Sequence, residues 1–175
     1  MTLPFWHEEP VAKAHDRKAF DCGDTEMNIF LQRFARQGHE QGAAKTFCAI
    51  ADEPPHRIMG FYSLAPASVD HDAVPPAMAK GLARHNVPGF LLARLAVDRT
   101  VAGRGLGGQL LLAAALRCIR VSEDVGGVLM IIDAKSERAA YWYTGFGAEP
   151  LADRPLTLVV PLATFAAALK VSGHL

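Results

Sequence analysis

The sequence predicts an α/β chain folded around a mixed sheet, and three observations carry that expectation. An apolar run at 90–97 ends in Gly103-Arg104-Gly105-Leu106-Gly107-Gly108 and continues into a helix-forming stretch at 109–120. A second apolar run, 128–133, follows Gly126-Gly127, so that strand, turn, helix and strand make the crossover a parallel pair needs. Upstream, the strand-like runs 46–51 and 58–64 are separated by Glu53-Pro54-Pro55-His56, a turn that closes them into a hairpin. With 175 residues, 50% of them hydrophobic and 21% charged, the chain can bury one sizeable core, and 1–175 reads as a single domain.

Each element has a local reason. Asp24 is placed to cap a helix over 25–41 in which Met27, Phe30, Leu31 and Phe34 fall on one stripe. Pro75 and Pro76 open a short helix ending near His85, and the strand 90–97 then leads through the glycine turn to a long helix ending near 121. After the strand 128–133, Ser136 caps the next helix, 156–160 forms a closing strand, and 164–170 a terminal helix.

The glycine turn carries the chemistry. Glycines let backbone approach phosphate oxygens, the first-turn amides of a helix lack intrahelical partners, and the helix dipole adds positive potential there. A phosphate-bearing ligand is the leading expectation, and a ligand-free tight turn is the alternative. Gly103-x-Gly105-x-x-Gly108 also satisfies the dinucleotide fingerprint, with Asp133 as a ribose partner. That fold fails on position, because its further strand–helix units must follow the first turn and only one such unit and a final strand remain. A coenzyme A pyrophosphate suits the arrangement better.

These residues resemble the GCN5-related N-acetyltransferase (GNAT) family, whose coenzyme A motif reads Gln/Arg-x-x-Gly-x-Gly/Ala. Ala102-Gly103-Arg104-Gly105-Leu106-Gly107 matches it except at the first position, where Ala102 replaces a long polar side chain and leaves the backbone to hold the ligand. Tyr141-Trp142-Tyr143-Thr144-Gly145-Phe146 matches the family's Tyr-x-x-x-Gly-Phe. Further segments are similar to the acetyltransferase toxins of bacterial toxin-antitoxin pairs: Phe20-Asp21-Cys22-Gly23, the amphipathic 27–36, Ile58-Met59-Gly60-Phe61-Tyr62-Ser63-Leu64, Leu92-Ala93-Arg94-Leu95-Ala96-Val97-Asp98 and Ile132-Asp133-Ala134-Lys135. The resemblance implies a GNAT fold, a central, mostly antiparallel sheet with a splayed parallel strand pair and flanking helices.

It also implies an acetyl-CoA-dependent N-acetyltransferase, of a toxin type that acetylates the amino group of aminoacyl-tRNA and is held by a small DNA-binding antitoxin. A protein or small-molecule amine is the alternative acceptor, and a non-catalytic acyl-CoA binder the third reading. The coenzyme is expected on Leu95, Ala96 and Val97, whose backbone would pair with the pantetheine arm and supply an oxyanion-stabilising amide, on residues 102–108 including Leu106 and Gly108, and on Lys135. Tyr141 is the family-matched donor to the departing thiolate. Tyr143, two residues on, points elsewhere on a helix and reads as core.

No strong general base stands out; Glu40, Asp98 and Glu137 read as surface or capping carboxylates, with a base acting through water as the alternative for each. An α-amine, with an ordinary pKa of about 7.7–8.0 against about 10.4 for lysine, needs little help to lose its proton. Formal net charge is zero, so no global field attracts nucleic acid. Locally, residues 73–122 carry seven basic side chains against Asp98 alone. Among them Lys80, Arg84 and Arg94 are candidates for acceptor phosphates; a solvated basic face, and for Arg94 a coenzyme or salt-bridge role, are the alternatives. Cys22, Cys48 and Cys118 are odd in number and widely spaced, with Cys118 on an apolar helix face beside Leu111, Ala114 and Ala115. No metal site, membrane span or signal peptide is read, which points to a cytoplasmic protein; the sequence leaves a homodimer open.

Overall fold

A computed structural model of the chain describes residues 2–173. Its strands are β1 (Trp6–Pro10), β2 (Lys45–Ala51), β3 (Ile58–Asp70), β4 (Asn86–Val97), β5 (Leu129–Asp133), β6 (Glu149–Leu151) and β7 (Arg154–Pro161). They form one sheet in the order β1-β2-β3-β4-β5-β7-β6, with β4 and β5 parallel and the β1–β2, β2–β3, β5–β7 and β6–β7 pairs antiparallel. The expected mixed sheet with one parallel pair is therefore present. The backbone divides into two compact units, Met1–Ala65 with Ala93–Ala113 and Pro66–Leu92 with Ala114–Leu175.

In the first unit, α1 (Thr25–Ile29) passes through a π-helical turn (Phe30–Phe34) into α2 (Ala35–Gln41). Asp24 caps the start as expected, its Oδ1 accepting from the amides of Glu26 at 3.0 Å and Met27 at 3.2 Å. The buried stripe differs from the sequence reading. Met27, Leu31 and Ala35 are buried, while Phe34 is 57% exposed. The π turn inserts one residue, so the position eight after Met27 replaces the position seven after it on the inner face. Arg17 Nη1 donates to Gln32 O within this widened turn at 2.8 Å. Against the stripe pack Phe20, Phe61, Cys48, Ile50 and Ile58, and each large side chain buried this way contributes about 1.5–3 kcal/mol.

The strand β1 was not legible in the sequence. Its residues, WHEEP, are mostly polar and half-exposed, as befits an edge strand. His7 lies between two carboxylates, with Nδ1 2.6 Å from Asp52 Oδ1 and Nε2 on Glu9, whose other oxygen is 3.1 Å from His15 Nε2. The Asp52 hydrogen bond first, and Glu9 second, raise the His7 pKa. A raised value means that the folded state holds the proton more tightly than the unfolded chain. The contribution to stability is thus complete below about pH 6.5 and is lost as pH rises through the raised value. His7→Gln should flatten that alkaline loss in denaturant midpoints measured against pH; an unchanged profile would remove this strand anchor.

In the second unit, Val69, Val87, Leu129, Ile131, Leu151 and Val159 form the core. Strand β3 continues six residues beyond the expected end at Leu64. Pairing with β2 stops at Leu64, so the missing N–H of Pro66 is not required on that side. The helix opened by the proline pair is only α3 (Pro76–Ala79), because Lys80 already has extended backbone and Gly81 a φ of +85°. The remaining helices are α4 (Leu106–Val125), which continues from the first unit, α5 (Glu137–Thr144) and α6 (Leu162–Val171). Cys118 is buried on α4 and Cys48 on β2, and desolvation pushes both thiols up to about 12.

Candidate active site

The strand end that precedes the glycine turn is fastened by one carboxylate. Asp98, 3% exposed, accepts at Oδ1 from the Thr100 amide at 2.9 Å and the Thr100 hydroxyl at 2.6 Å, and at Oδ2 from the Asp21 amide at 3.0 Å. Its own amide donates to Met59 O at 2.8 Å. The capping role expected of Asp98 is found, although the group is buried rather than on the surface. Asp21 continues the network: the Gly23 amide first, then Asn28, hold its carboxyl below the usual carboxylate range. Asp98→Ala should lower stability by about 1–2 kcal/mol by removing the part-buried hydrogen bonds to Thr100 and Asp21, and should weaken coenzyme binding through the displaced turn. Denaturant melts and calorimetric titration read the two effects separately.

The turn itself requires glycine by conformation. Gly103 and Gly105 have φ of +76° and +88°, and a Cβ on either would meet nothing within 4 Å. Glycine serves the backbone shape here, and the space above the turn is open. Helix α4 starts at Leu106, and the Gln109 amide donates to Gly105 O at 3.3 Å. The amides before Gln109 stand at a helix N-terminus, where the first turn lacks intrahelical acceptors. Arg104 is half-buried and Ala102 exposed beside it. A pyrophosphate fits this combination of open volume, glycine backbone and helix end.

Two contacts hold α4 at this height. A Cβ on Gly60 of β3 would come within 2.8 Å of Leu110 Cδ1 and 2.9 Å of Ala96 O, so only glycine lets the first turns of α4 lie directly on the sheet. Trp6 Nε1–H donates to Gln109 Oε1 at 3.0 Å, tying β1 to the same turn. Sequence reasoning missed Trp6, which lies 103 residues from its partner. Gly60 left a signal, a lone glycine inside a strand pattern. Along the last residues of β4, Ala96 is buried while Leu95 and Val97 are only half-buried for a central strand. Arg94 lays its guanidinium 4.2 Å from the Phe30 ring centroid, with Nη1 3.9 Å from Met27 Sδ.

The second unit carries the remaining candidates. The β4–β5 ladder runs from Gly89↔Leu129 to Leu92↔Ile132 and covers only part of the twelve-residue β4. Asp133 ends β5, with its Oδ1 3.4 Å from the Thr157 hydroxyl. Ser136 caps α5 as expected, its hydroxyl accepting from the Ala139 amide at 3.1 Å. On α5 the two tyrosines separate sharply: Tyr141 is 80% exposed and Tyr143 only 6%. Trp142 packs on Tyr143 and Phe146 with ring centroids 5.0 and 4.9 Å apart, and desolvation pushes the Tyr143 hydroxyl up to about 12. Lys80 follows α3, Arg84 is exposed in the loop before β4, and Lys135 precedes α5. Arg94 to Val97 and residues 102–108 thus form one continuous strand–turn–helix, whereas Tyr141, Lys135, Lys80 and Arg84 belong to the other unit.

Of the other carboxylates, Glu40 is 2.9 Å from Arg36 Nη1 and Glu137 stands in the first turn of α5. Among the described residues no group of three or more His, Cys, Asp or Glu could hold a metal ion, and no helix is long and apolar enough to cross a membrane.

No protein-family model matches the chain. It is 35% identical over 154 residues to a tRNA-acetylating toxin of Mycobacterium tuberculosis, covering 86% of this chain and 88% of that protein. Its fold matches that of AtaT complexed with acetyl-methionyl-tRNAfMet, with a TM-score of 0.87 at 24% identity over 94% of this chain and 99% of that one. A mutant AtaT toxin bound to acetyl-CoA and the C-terminus of the antitoxin AtaR matches with a TM-score of 0.81 at 23% identity, over 94% and 98% of the two chains.

Proposed function

This chain belongs to the family of tRNA-acetylating toxins, GCN5-related N-acetyltransferases, and on that footing we propose that it transfers acetyl from acetyl-CoA to the amino group of aminoacyl-tRNA. The observation that carries the reading to this chain's own residues is the open glycine turn at the head of α4. Residues 102–108 hold the pyrophosphate through backbone amides, so Ala102 in place of a long polar side chain costs the turn no backbone donor. Leu95, Ala96 and Val97 offer strand backbone to the pantetheine arm, and Lys135 completes the coenzyme contacts.

Bound acetyl-CoA supplies the acetyl group as a thioester. A strand amide between Leu95 and Val97 donates to the thioester oxygen as the amine attacks, the Tyr141 hydroxyl donates its proton toward the departing sulfur, and the proton lost from nitrogen passes to water, from which Tyr141 is reprotonated. The chain needs no strong base for an α-amine acceptor, which is substantially neutral near pH 7.5. The reaction belongs in the cytoplasm, where charged tRNA is found, and a small DNA-binding antitoxin is the partner that would restrain it, as AtaR binds AtaT.

Purified protein incubated with labelled acetyl-CoA should label charged tRNA and leave deacylated tRNA and a lysine-rich protein unlabelled. Label on the protein instead would move the acceptor to the alternative class, and label on none would favour a coenzyme binder. Lys80 and Arg84 are the basic residues assigned to acceptor phosphates. Reversing both to glutamate should raise the KM for charged tRNA, and should lower the slope of log affinity against log salt by about 2. An unchanged slope would remove them from the RNA surface.

A further inference from the structure

The indole of Trp6 decides which way a glutamine points. Trp6 Nε1–H meets Gln109 Oε1 at 3.0 Å, and an indole nitrogen can only donate. The carboxamide is therefore held with its oxygen toward Trp6, and its NH2 group, with two donor hydrogens, faces the other way. Among the described residues that NH2 group has no protein partner. Trp6 is itself fixed: it is half-buried and pairs with Ala51 across the β1–β2 ladder, the Asp52 amide donates to Phe5 O at 2.9 Å, and His7 bonds Asp52 at 2.6 Å. The place of the amide matters as much as its orientation. Helix α4 begins Leu106-Gly107-Gly108-Gln109; Leu106 is buried and the two glycines carry no side chain, so exposed Gln109 is the first polar side chain of the helix. A helical side chain leans toward the N-terminus and covers the turn before its own Cα. For Gln109, whose amide donates to Gly105 O, that turn is the glycine turn. Ala102 brings no side-chain donor there.

We propose that Gln109 Nε2 donates to a phosphate oxygen of the coenzyme pyrophosphate, and that Trp6 is the positioning residue that presets this donor. The inference rests on acetyl-CoA being held at residues 102–108. Backbone amides of the turn leave a pyrophosphate with further oxygens to satisfy, and a hydrogen bond to a charged oxygen is stronger than one between neutral groups. A free glutamine would lose rotamer freedom on making that bond; one already anchored through its oxygen has given up that freedom in the folded chain. Trp6, residues 102–108 and Gln109 all lie in the first unit.

Calorimetric titration with acetyl-CoA compares the full chain with Gln109→Met, Gln109→Glu, Trp6→Phe, and the double variant Trp6→Phe with Gln109→Met. Methionine removes the donor from an exposed position and should weaken binding about tenfold. Glutamate still accepts from Trp6, yet it has no donor and repels phosphate, so it should bind more weakly than methionine. Trp6→Phe keeps the donor and frees its orientation, for a loss of about threefold; in the double variant it should add nothing to the loss from methionine, because Trp6 acts through Gln109. Wild-type affinity in Gln109→Met would overturn the proposal. So would wild-type affinity in Gln109→Glu, which marks a tie between strand and helix that the ligand never touches, or additive losses in the double variant, which mark a Trp6 effect that bypasses Gln109. An unaltered chain that binds no acetyl-CoA would sink the coenzyme assignment together with this contact. Binding lost in Gly105→Glu but unchanged in Gln109→Met would keep that assignment and sink the contact alone.

Discussion

Gly105→Glu is expected to abolish acetyl-CoA binding while the chain still unfolds cooperatively. Two effects combine at this position and a second variant separates them. At φ +88° any side chain is strained, at a cost of about 1–2 kcal/mol, but the added Cβ meets nothing in the protein. Gly105→Ala should therefore lose modest stability and retain measurable coenzyme affinity. Glutamate adds to the same strain a negative charge at a helix N-terminus assigned to a pyrophosphate, in the space the phosphates need. Calorimetric titration should show binding for alanine and none for glutamate. Equal binding by both would place the phosphates elsewhere.

Tyr141→Phe should lower turnover by about 10²–10⁴-fold with acetyl-CoA affinity preserved, the signature of a lost proton donor. Its exposure of 80% leaves the hydroxyl free to meet a ligand and makes the ring dispensable for packing, so melting should not change. Tyr143 is the internal control. Buried at 6% and packed beside Trp142, it should tolerate phenylalanine with turnover intact, whereas Tyr143→Ala should cost about 3–5 kcal/mol of stability. A loss of turnover in Tyr143→Phe rather than Tyr141→Phe would reverse the two roles.

The parts of this fold that were legible in the sequence are those in which local chemistry and tertiary demand coincide. Asp24 and Ser136 cap helices because each is followed by a helix-forming run whose first amides need an acceptor, and both do so. The glycine turn was readable because positive φ leaves few residue choices. What escaped depends on distant partners or on added residues. WHEEP has no apolar alternation and becomes a strand only because β2 offers it an edge. Phe34 was assigned to the core by a period of 3.6, and the π turn shifts that register by one residue without any sequence mark. Pro66 hid the far half of β3, since a proline is allowed there only where a neighbouring strand has stopped. The Trp6–Gln109 bond joins residues with no local relation at all.

The two buried cysteines give the molecule a chemical clock. Burial desolvates both thiols and pushes them up to about 12, so Cys48 and Cys118 are held protonated and shielded from an alkylating reagent in the native fold. Their side chains enter solution only when the sheet and α4 open, so the rate at which a maleimide or iodoacetamide mass appears at these two sites counts openings of the native fold. Half-buried Cys22, at the loop fastened to Asp98, lies outside that protection. A reagent added to a coenzyme-saturated sample would thus report, from Cys48 in one unit and Cys118 in the other with Cys22 as the unprotected reference, how far ligand at the glycine turn slows the opening of each unit.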